Sequence, residues 1–271
     1  MHPPRENVSL TAEQETLLIT LFCKTLGSPE GYFEDPAAWR LVESIDYDFD
    51  KLRVKTGTRL TVPIRAKKID SYVHAFLQEH PDGVVLHLGC GLDTRFQRLD
   101  NGKVEWYDLD LPDAIVLRRK FFEESDRYHM IASSVTAWDW LNLVRAQGRP
   151  VFVAAEGLLM YLHEEDVKAL MLKLKEHFPG CGLACDVFSG FTARNVRRNP
   201  SLQKTGAVIH WGIDDAREIE SWAPGIRLLE EWYFDQSADI SKLAGRYRLM
   251  FAITRLFSAA RKAHRVLYFK L

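Results

Sequence analysis

Val84-Val85-Leu86-His87-Leu88-Gly89-Cys90-Gly91-Leu92-Asp93-Thr94-Arg95 is the stretch that decides the fold. A short apolar run ended by glycine reads as a buried parallel strand, because strands covered on both faces are near-continuous in hydrophobic residues. Gly89 and Gly91 then allow a sharp turn and a close approach of the backbone to a ligand. In an open α/β sheet such a turn lies at the carboxyl end of its strand, where ligands bind. A dinucleotide site asks for a third glycine beside the pyrophosphate, and Thr94 stands in that place. The turn therefore suits a nucleoside ligand without a pyrophosphate.

Downstream, strand and helix patterns alternate. Strands are expected at Val104 to Asp110, Tyr128 to Ala132, Pro150 to Ala155 and Gly182 to Phe188. Helices are expected between them at Asp113 to Glu124, Trp138 to Gln147 and Glu164 to His177. Two final strands, Ile226 to Phe234 and Arg265 to Leu271, flank a helix from about Ile240 to Ala263. Alternation of this kind indicates an α/β fold with a doubly wound, mostly parallel, seven-stranded Rossmann-like sheet.

Upstream, residues 1–80 read as a helical N-terminal extension. Ser9 with Glu13, or Thr11 with Gln14, is placed to cap a helix through Leu17, Leu18, Leu21 and Phe22. A second helix covers Pro36 to Ser44. A third, from about Pro63 to Glu79, puts Ile69, Tyr72, Val73 and Phe76 on one face. Pro81-Asp82-Gly83 breaks the chain before the sheet begins. The whole reads as one domain, 1–271, with a core at 81–271 and a lid insert at 189–225.

The 271 residues suffice for a sizeable core. Net charge is −1, which offers no global attraction to nucleic acid or an anionic membrane. Clusters such as Arg118-Arg119-Lys120 and Arg197-Arg198 read as solvated faces. Four cysteines form neither a disulfide framework nor a complete zinc site. No metal is expected, and a reducing, cytoplasmic setting fits best. No apolar run approaches the ~20 residues that span a bilayer.

Asp108-Leu109-Asp110 ends the second strand, about 20 residues past the glycines, where an acidic side chain reaches the ribose of a bound nucleoside. Alternation puts Asp108 and Asp110 on one face, and Asp110 is the favoured ribose ligand. Glu156 directly follows the apolar run Val151 to Ala155 and so lies beside the cleft. Tyr161 stands a few residues on, facing an acceptor or the core.

Together these motifs resemble the leucine carboxyl methyltransferase family, including its bacterial polyketide O-methyltransferase-like branch. The matching segments are Glu15-Thr16-Leu17-Leu18, Arg65, His87 to Arg95, Asp108-Leu109-Asp110-Leu111-Pro112 and Ala155 to Leu162. The resemblance implies a class I methyltransferase with S-adenosylmethionine as donor, a molecule whose lack of phosphate agrees with the turn. It implies that Arg65 pairs with the donor's methionine carboxylate, that Gly89 packs against the donor, and that Asp110 holds the ribose. Cys90 and Gly91 complete the turn. Ser134 and Val135 would flank the adenine, and Glu156 would line the cleft near the methionine part. The family's protein-modifying members carry Asp where this chain has Ser134, so the adenine contact is weaker or made by backbone.

Arg65 is expected in the first turn of its helix, where the positive end of the dipole favours acidic residues. A basic residue there suggests an anionic partner, although Lys67 and Lys68 dilute the inference.

Methyl transfer from a sulfonium is an in-line displacement governed by positioning. A carboxylate acceptor is ionised at neutral pH and needs no base, whereas a hydroxyl benefits from one. His163 is the nearest candidate base by sequence, with Tyr161 beside it, and His210 is another. No base stands out, which leans toward a carboxyl acceptor. A small-molecule acceptor is expected, with a protein carboxyl terminus as the other choice. Two further readings stay open: a nicotinamide oxidoreductase, against which Thr94 counts, and a binder of S-adenosylmethionine without activity. A hydrolase would need a G-x-S-x-G elbow, which is absent.

Overall fold

The strands are β1 Val84–Leu88, β2 Glu105–Asp110, β3 Tyr128–Ala132, β4 Val151–Ala155, β5 Gly182–Phe188, β6 Arg227–Tyr233 and β7 His264–Lys270. They form one sheet of order β3-β2-β1-β4-β5-β7-β6. β1 to β5 are parallel, and β7 runs antiparallel between β5 and β6. The architecture comes from a computed structural model that describes residues 12–27, 31–196 and 208–271, with side chains from Thr16 onward. Seven strands, with the last two added at one edge, is the expected arrangement.

Both faces of the central strands are covered. Val85, Trp106, Phe152 and Ala154 face α3 (Thr56–Glu79), which buries Ile69, Val73 and Leu77 against them. Leu86, Leu88, Leu109 and Val153 face the other way, toward Val167, Leu170, Met171 and Leu174 of the helix Glu164–His177. Each such side chain contributes roughly 1.5–3 kcal/mol. A third cluster joins α1 (Ala12–Leu26) and α2 (Pro36–Ser44) to the core through Leu92 and Leu117.

Several helices differ from their sequence-based bounds. α3 begins at Thr56 and carries Pro63 in its interior. A mid-helix proline costs about 3 kcal/mol, but Leu60, Val62, Pro63 and Ile64 are all buried there, and that packing outweighs local propensity. Arg65 therefore lies mid-helix, and the dipole argument for its anionic partner falls. The stretch after β2 is helical only over Pro112–Arg118, and that after β3 is a 3₁₀ helix, Trp138–Leu143. The long helix expected before β7 is divided into Ala238–Lys242, Gly245–Leu256 and Ser258–Lys262. The Ser9, Thr11, Glu13 and Gln14 capping pairs and Arg197-Arg198 lie outside the described side chains. No helix among the described residues is long and apolar enough to cross a membrane.

Candidate functional site

Register brings three strand ends side by side. Leu88, the last residue of β1, pairs with Leu109 of β2 on one side and Ala155 of β4 on the other. Gly89, Asp110 and Glu156 each follow one of these residues. β1 lies between strands reached by connections running in opposite directions, which is the switch point where α/β sheets bind ligands.

Gly89 and Gly91 both hold positive φ, 66° and 48°. A Cβ on Gly91 would lie 2.9 Å from Leu17 Cδ2 of α1, so Leu17 would have to shift, and the positive φ would strain any L side chain there. The Gly89 N–H donates to Leu109 O at 2.8 Å. Arg118 grips the turn from below, donating to Gly91 O and Asp93 O at 2.8 Å each. The Cys90 side chain is buried in the core, so only its backbone lines the turn.

The two carboxylates of β2 have separate roles. Asp108 is fully buried and accepts from Arg118 Nη2 (2.5 Å), the Tyr128 hydroxyl (2.6 Å) and Trp106 Nε1 (2.8 Å), with His87 Nδ1 at 3.2 Å. Burial alone would raise its pKa, but Arg118 and His87 bring it down to about 2. Its acceptor positions are filled by protein, so the expected ligand contact at Asp108 is corrected: it is an internal anchor for the strand and turn. Among the described residues, Asp110 accepts from two backbone N–H groups, those of Gly91 (2.7 Å) and Leu111 (2.7 Å). Burial raises its pKa against those two bonds. Unlike Asp108, it accepts from no side chain among the described residues.

Arg65 reaches this row from α3. Its Nε donates to Glu156 Oε1 at 3.0 Å and its Nη1 to Asp186 Oδ2 at 2.8 Å. Its Nη2 has no partner among the described residues and runs over Gly157. Glu156 also accepts from Arg95. Burial opposes ionisation, but Lys24, Arg95 and Arg65 hold Glu156 at about 2. Asp186, in β5, also accepts from Gly157 N (2.6 Å) and His264 Nε2 (2.7 Å). Burial works against its charge, while Arg65 and His264 keep its pKa far below the usual range.

The remainder of the motif is a clasp. Asp93 pairs with Lys24 of α1 at 2.6 Å, and both are buried. Thr94 Oγ1 donates to Asp35 Oδ2 at 2.6 Å, and Asp35 caps α2. Arg95 and Arg98 both bind Asp70 of α3. The Asp-Thr-Arg segment thus ties the N-terminal helices to the turn, which explains a threonine in the third glycine position.

Lys24, Asp186 and His264 were not read from the sequence. Lys24 shares the face of Leu17 and Leu21, and Asp186 interrupts the apolar run of β5. A charge on a buried face signals a partner. His264 carries no such signal, since only sheet pairing with Phe188 brings it here.

Ser134 spends its hydroxyl within its own loop, with Thr136 Oγ1 at 2.8 Å, and Val135 is buried. Tyr161 is half-buried against the cluster of Met160, Ala193 and Ile209, part of the 189–225 segment. Burial raises its pKa, so the hydroxyl keeps its proton at neutral pH. His163 is exposed at the start of the helix Glu164–His177, its ring centroid 4.1 Å from that of His210.

Residues 22–175 match the family model described as leucine carboxyl methyltransferase. The tetracenomycin polyketide synthesis O-methyltransferase TcmP of Streptomyces glaucescens is 39% identical over 97% of this chain and 98% of its own. The chain belongs to the leucine carboxyl methyltransferase family. A second member-like relative, the S-adenosyl-L-methionine-dependent methyltransferase dpfgK of Gibberella zeae, is 31% identical over 83% of this chain and 84% of its own. Among solved structures, a DUF574 family protein of Streptomyces avermitilis superposes with a TM-score of 0.63 at 14% identity, covering 96% of this chain and 99% of that one. At that identity the last comparison speaks for the fold alone. This family member is a methyltransferase that uses S-adenosylmethionine as donor.

Proposed function

We propose that the chain methylates an oxygen, hydroxyl or carboxyl, of a small polyketide-like acceptor. The observation that carries the acceptor class is the near full-length similarity to the tetracenomycin O-methyltransferase. The site supports the donor's placement. Arg65 leaves Nη2 unbonded among the described residues and next to a glycine, which suits a carboxylate approached from that side. Asp110 keeps lone pairs beside the glycine turn, which suits ribose hydroxyls. Gly89, Cys90 and Gly91 offer backbone, and Ser134 and Val135 stand where the adenine edge is expected.

The donor supplies an electrophilic methyl on a sulfonium. The protein's part is alignment, with the acceptor oxygen and methyl carbon held about 3–3.5 Å apart. Arg65 would hold the methionine carboxylate, and its orientation is fixed by Glu156 and Asp186. Glu156 thus supports the clamp and adds negative potential near the cationic donor. Tyr161, protonated, would be free to donate a hydrogen bond to an acceptor on that side. Ala193 and Ile209 pack beside Tyr161 there, and His210 N and Trp211 N donate to Met160 O.

Calorimetric titration with S-adenosylhomocysteine and NAD, followed by turnover on hydroxyanthraquinone carboxylic acids, tests the reading. Product binding, no NAD binding and mass gain of one methyl on oxygen are expected. NAD binding without S-adenosylhomocysteine binding would overturn it.

A further inference from the structure

We propose that the helix Gly245–Leu256, with the short helix Ser258–Lys262 that follows it, is a docking face for an anionic lipid surface.

The longer helix has two apolar sides. At 3.6 residues per turn, Tyr247, Phe251 and Thr254 fall on one side. Phe251 is buried there in the α3-side core, with Tyr247 packed against the same cluster. Leu249, Met250, Ile253 and Leu256 fall on the other side, at the spacing of a core-facing stripe, and Phe257 follows at the junction of the two helices. This stripe faces solvent instead: Leu249, Ile253, Leu256 and Phe257 are between 48% and 78% exposed. A contiguous apolar stripe that covers nothing among the described residues marks a contact surface.

Charge selects the occupant. The net charge of −1 predicts no attraction of the chain as a whole to an anionic membrane, but that charge is unevenly distributed. Beyond Asp239 the sequence holds eight lysines and arginines and no acidic residue. Arg265 is buried, Arg261 pairs with Asp235, and Lys242 pairs with Asp239. Lys270 lies at the other end of β7. Arg246, Arg248, Arg255 and Lys262 remain, exposed around the stripe and in no ion pair among the described residues. The helix packs on the turns Phe234–Gln236 and Ala238–Lys242, whose acids, Asp235 and Asp239, are already paired. Arg246 and Arg248 stand in the first turn, where the dipole disfavours cations, so helix stability does not account for them.

A second copy of the chain would set this cationic face against itself across a twofold, which like charges oppose. A protein partner would need a groove shaped to a lone convex helix. A fluid headgroup layer needs none: the apolar side chains enter the headgroup–acyl boundary, while the arginine stems lie along it with their guanidiniums on lipid phosphates. The face adjoins the end of the sheet that carries the site, because Ala263 O, just past the short helix, accepts from Ser189 N at the end of β5.

The test uses the whole protein and extruded vesicles of phosphatidylcholine alone or with one third phosphatidylglycerol, read by co-sedimentation. Binding to the phosphatidylglycerol vesicles is expected, with little to phosphatidylcholine, and it weakens as salt is raised. Each cation near an anionic surface contributes about fivefold in partitioning, so Arg248→Gln with Arg255→Gln is expected to lower it about 25-fold. Leu249→Gln with Leu256→Gln is expected to lower it about tenfold or more. All four side chains are exposed, so Tm and S-adenosylhomocysteine affinity stay at their wild-type values. The four native cysteines are buried, so a solvent-sensitive dye on Phe257→Cys reports this face alone, and its emission is expected to shift to the blue on anionic vesicles only. No vesicle binding, binding equal with and without phosphatidylglycerol, or binding unchanged in either pair of variants would overturn the proposal. So would a wild-type dimer that the leucine pair dissociates, which gives the face to a second copy. Tighter binding to polyglutamate than to the vesicles would overturn it in favour of an acidic protein. Donor binding and the acceptor proposed above are independent of all these outcomes.

Discussion

Asp108→Asn and Asp110→Asn, made side by side, separate the fold from the site. Both carboxylates end β2, and sequence alone makes them equivalent. Asp108 is fully buried and neutralises the buried Arg118 at 2.5 Å. Removing its charge leaves that guanidinium uncompensated, which costs about 3–5 kcal/mol. For a chain of this size each kcal/mol moves Tm by roughly 2–4 °C, so a fall on the order of 10 °C is expected. Asp110 forms no ion pair among the described residues: it accepts from the Gly91 and Leu111 N–H groups, and Arg118 and His87 act on it only through space. Asn keeps one of those acceptors, so Tm changes little. Its loss is felt by the ribose, where a charged hydrogen bond contributes about 1.5–3 kcal/mol, or roughly 10- to 100-fold in Kd. Differential scanning calorimetry reads the first effect and titration with S-adenosylhomocysteine the second. Equal affinity losses with equal Tm losses would refute this division of roles.

Two further outcomes follow from the same cluster. Arg65→Lys is expected to weaken S-adenosylhomocysteine binding at least about tenfold, because an ammonium has no planar fork to serve Glu156, Asp186 and a ligand together; calorimetry with unchanged affinity would count against the clamp. Stability is expected to fall on the acid side, read as the urea midpoint against pH. Glu156, Asp108 and Asp186 have folded pKa values below their unfolded ones, so the stability they contribute is present above about pH 4 and lost as pH falls toward 2. His264, also lowered, adds a gentler loss beginning near pH 6.5; a flat midpoint down to pH 3 would contradict these assignments.

The sheet was legible because parallel strands bury both faces and announce themselves as apolar runs bounded by glycine or proline. β1, β3 and β5 fall where expected, residue for residue. The helical extension was less so. Pro63 reads locally as a helix start, and only the buried packing around it shows that α3 runs through. The glycine turn and Asp110 were visible from spacing. Asp108 was not separable from Asp110, since what distinguishes them is Arg118 and Tyr128, brought in from other elements. His264 lies farthest from legibility: it meets Asp186 only because β7 inserts antiparallel beside β5.

The central claim is that the donor lies across the ends of β1, β2 and β4, between Asp110 and Arg65. A crystal structure with S-adenosylhomocysteine tests it most directly. The account predicts ribose hydroxyls within hydrogen-bond distance of Asp110 and the ligand's carboxylate on Arg65 Nη2, with Asp108 still bonded to Arg118. A ligand bound elsewhere, or bound here with its carboxylate away from Arg65 and its ribose away from Asp110, would contradict it.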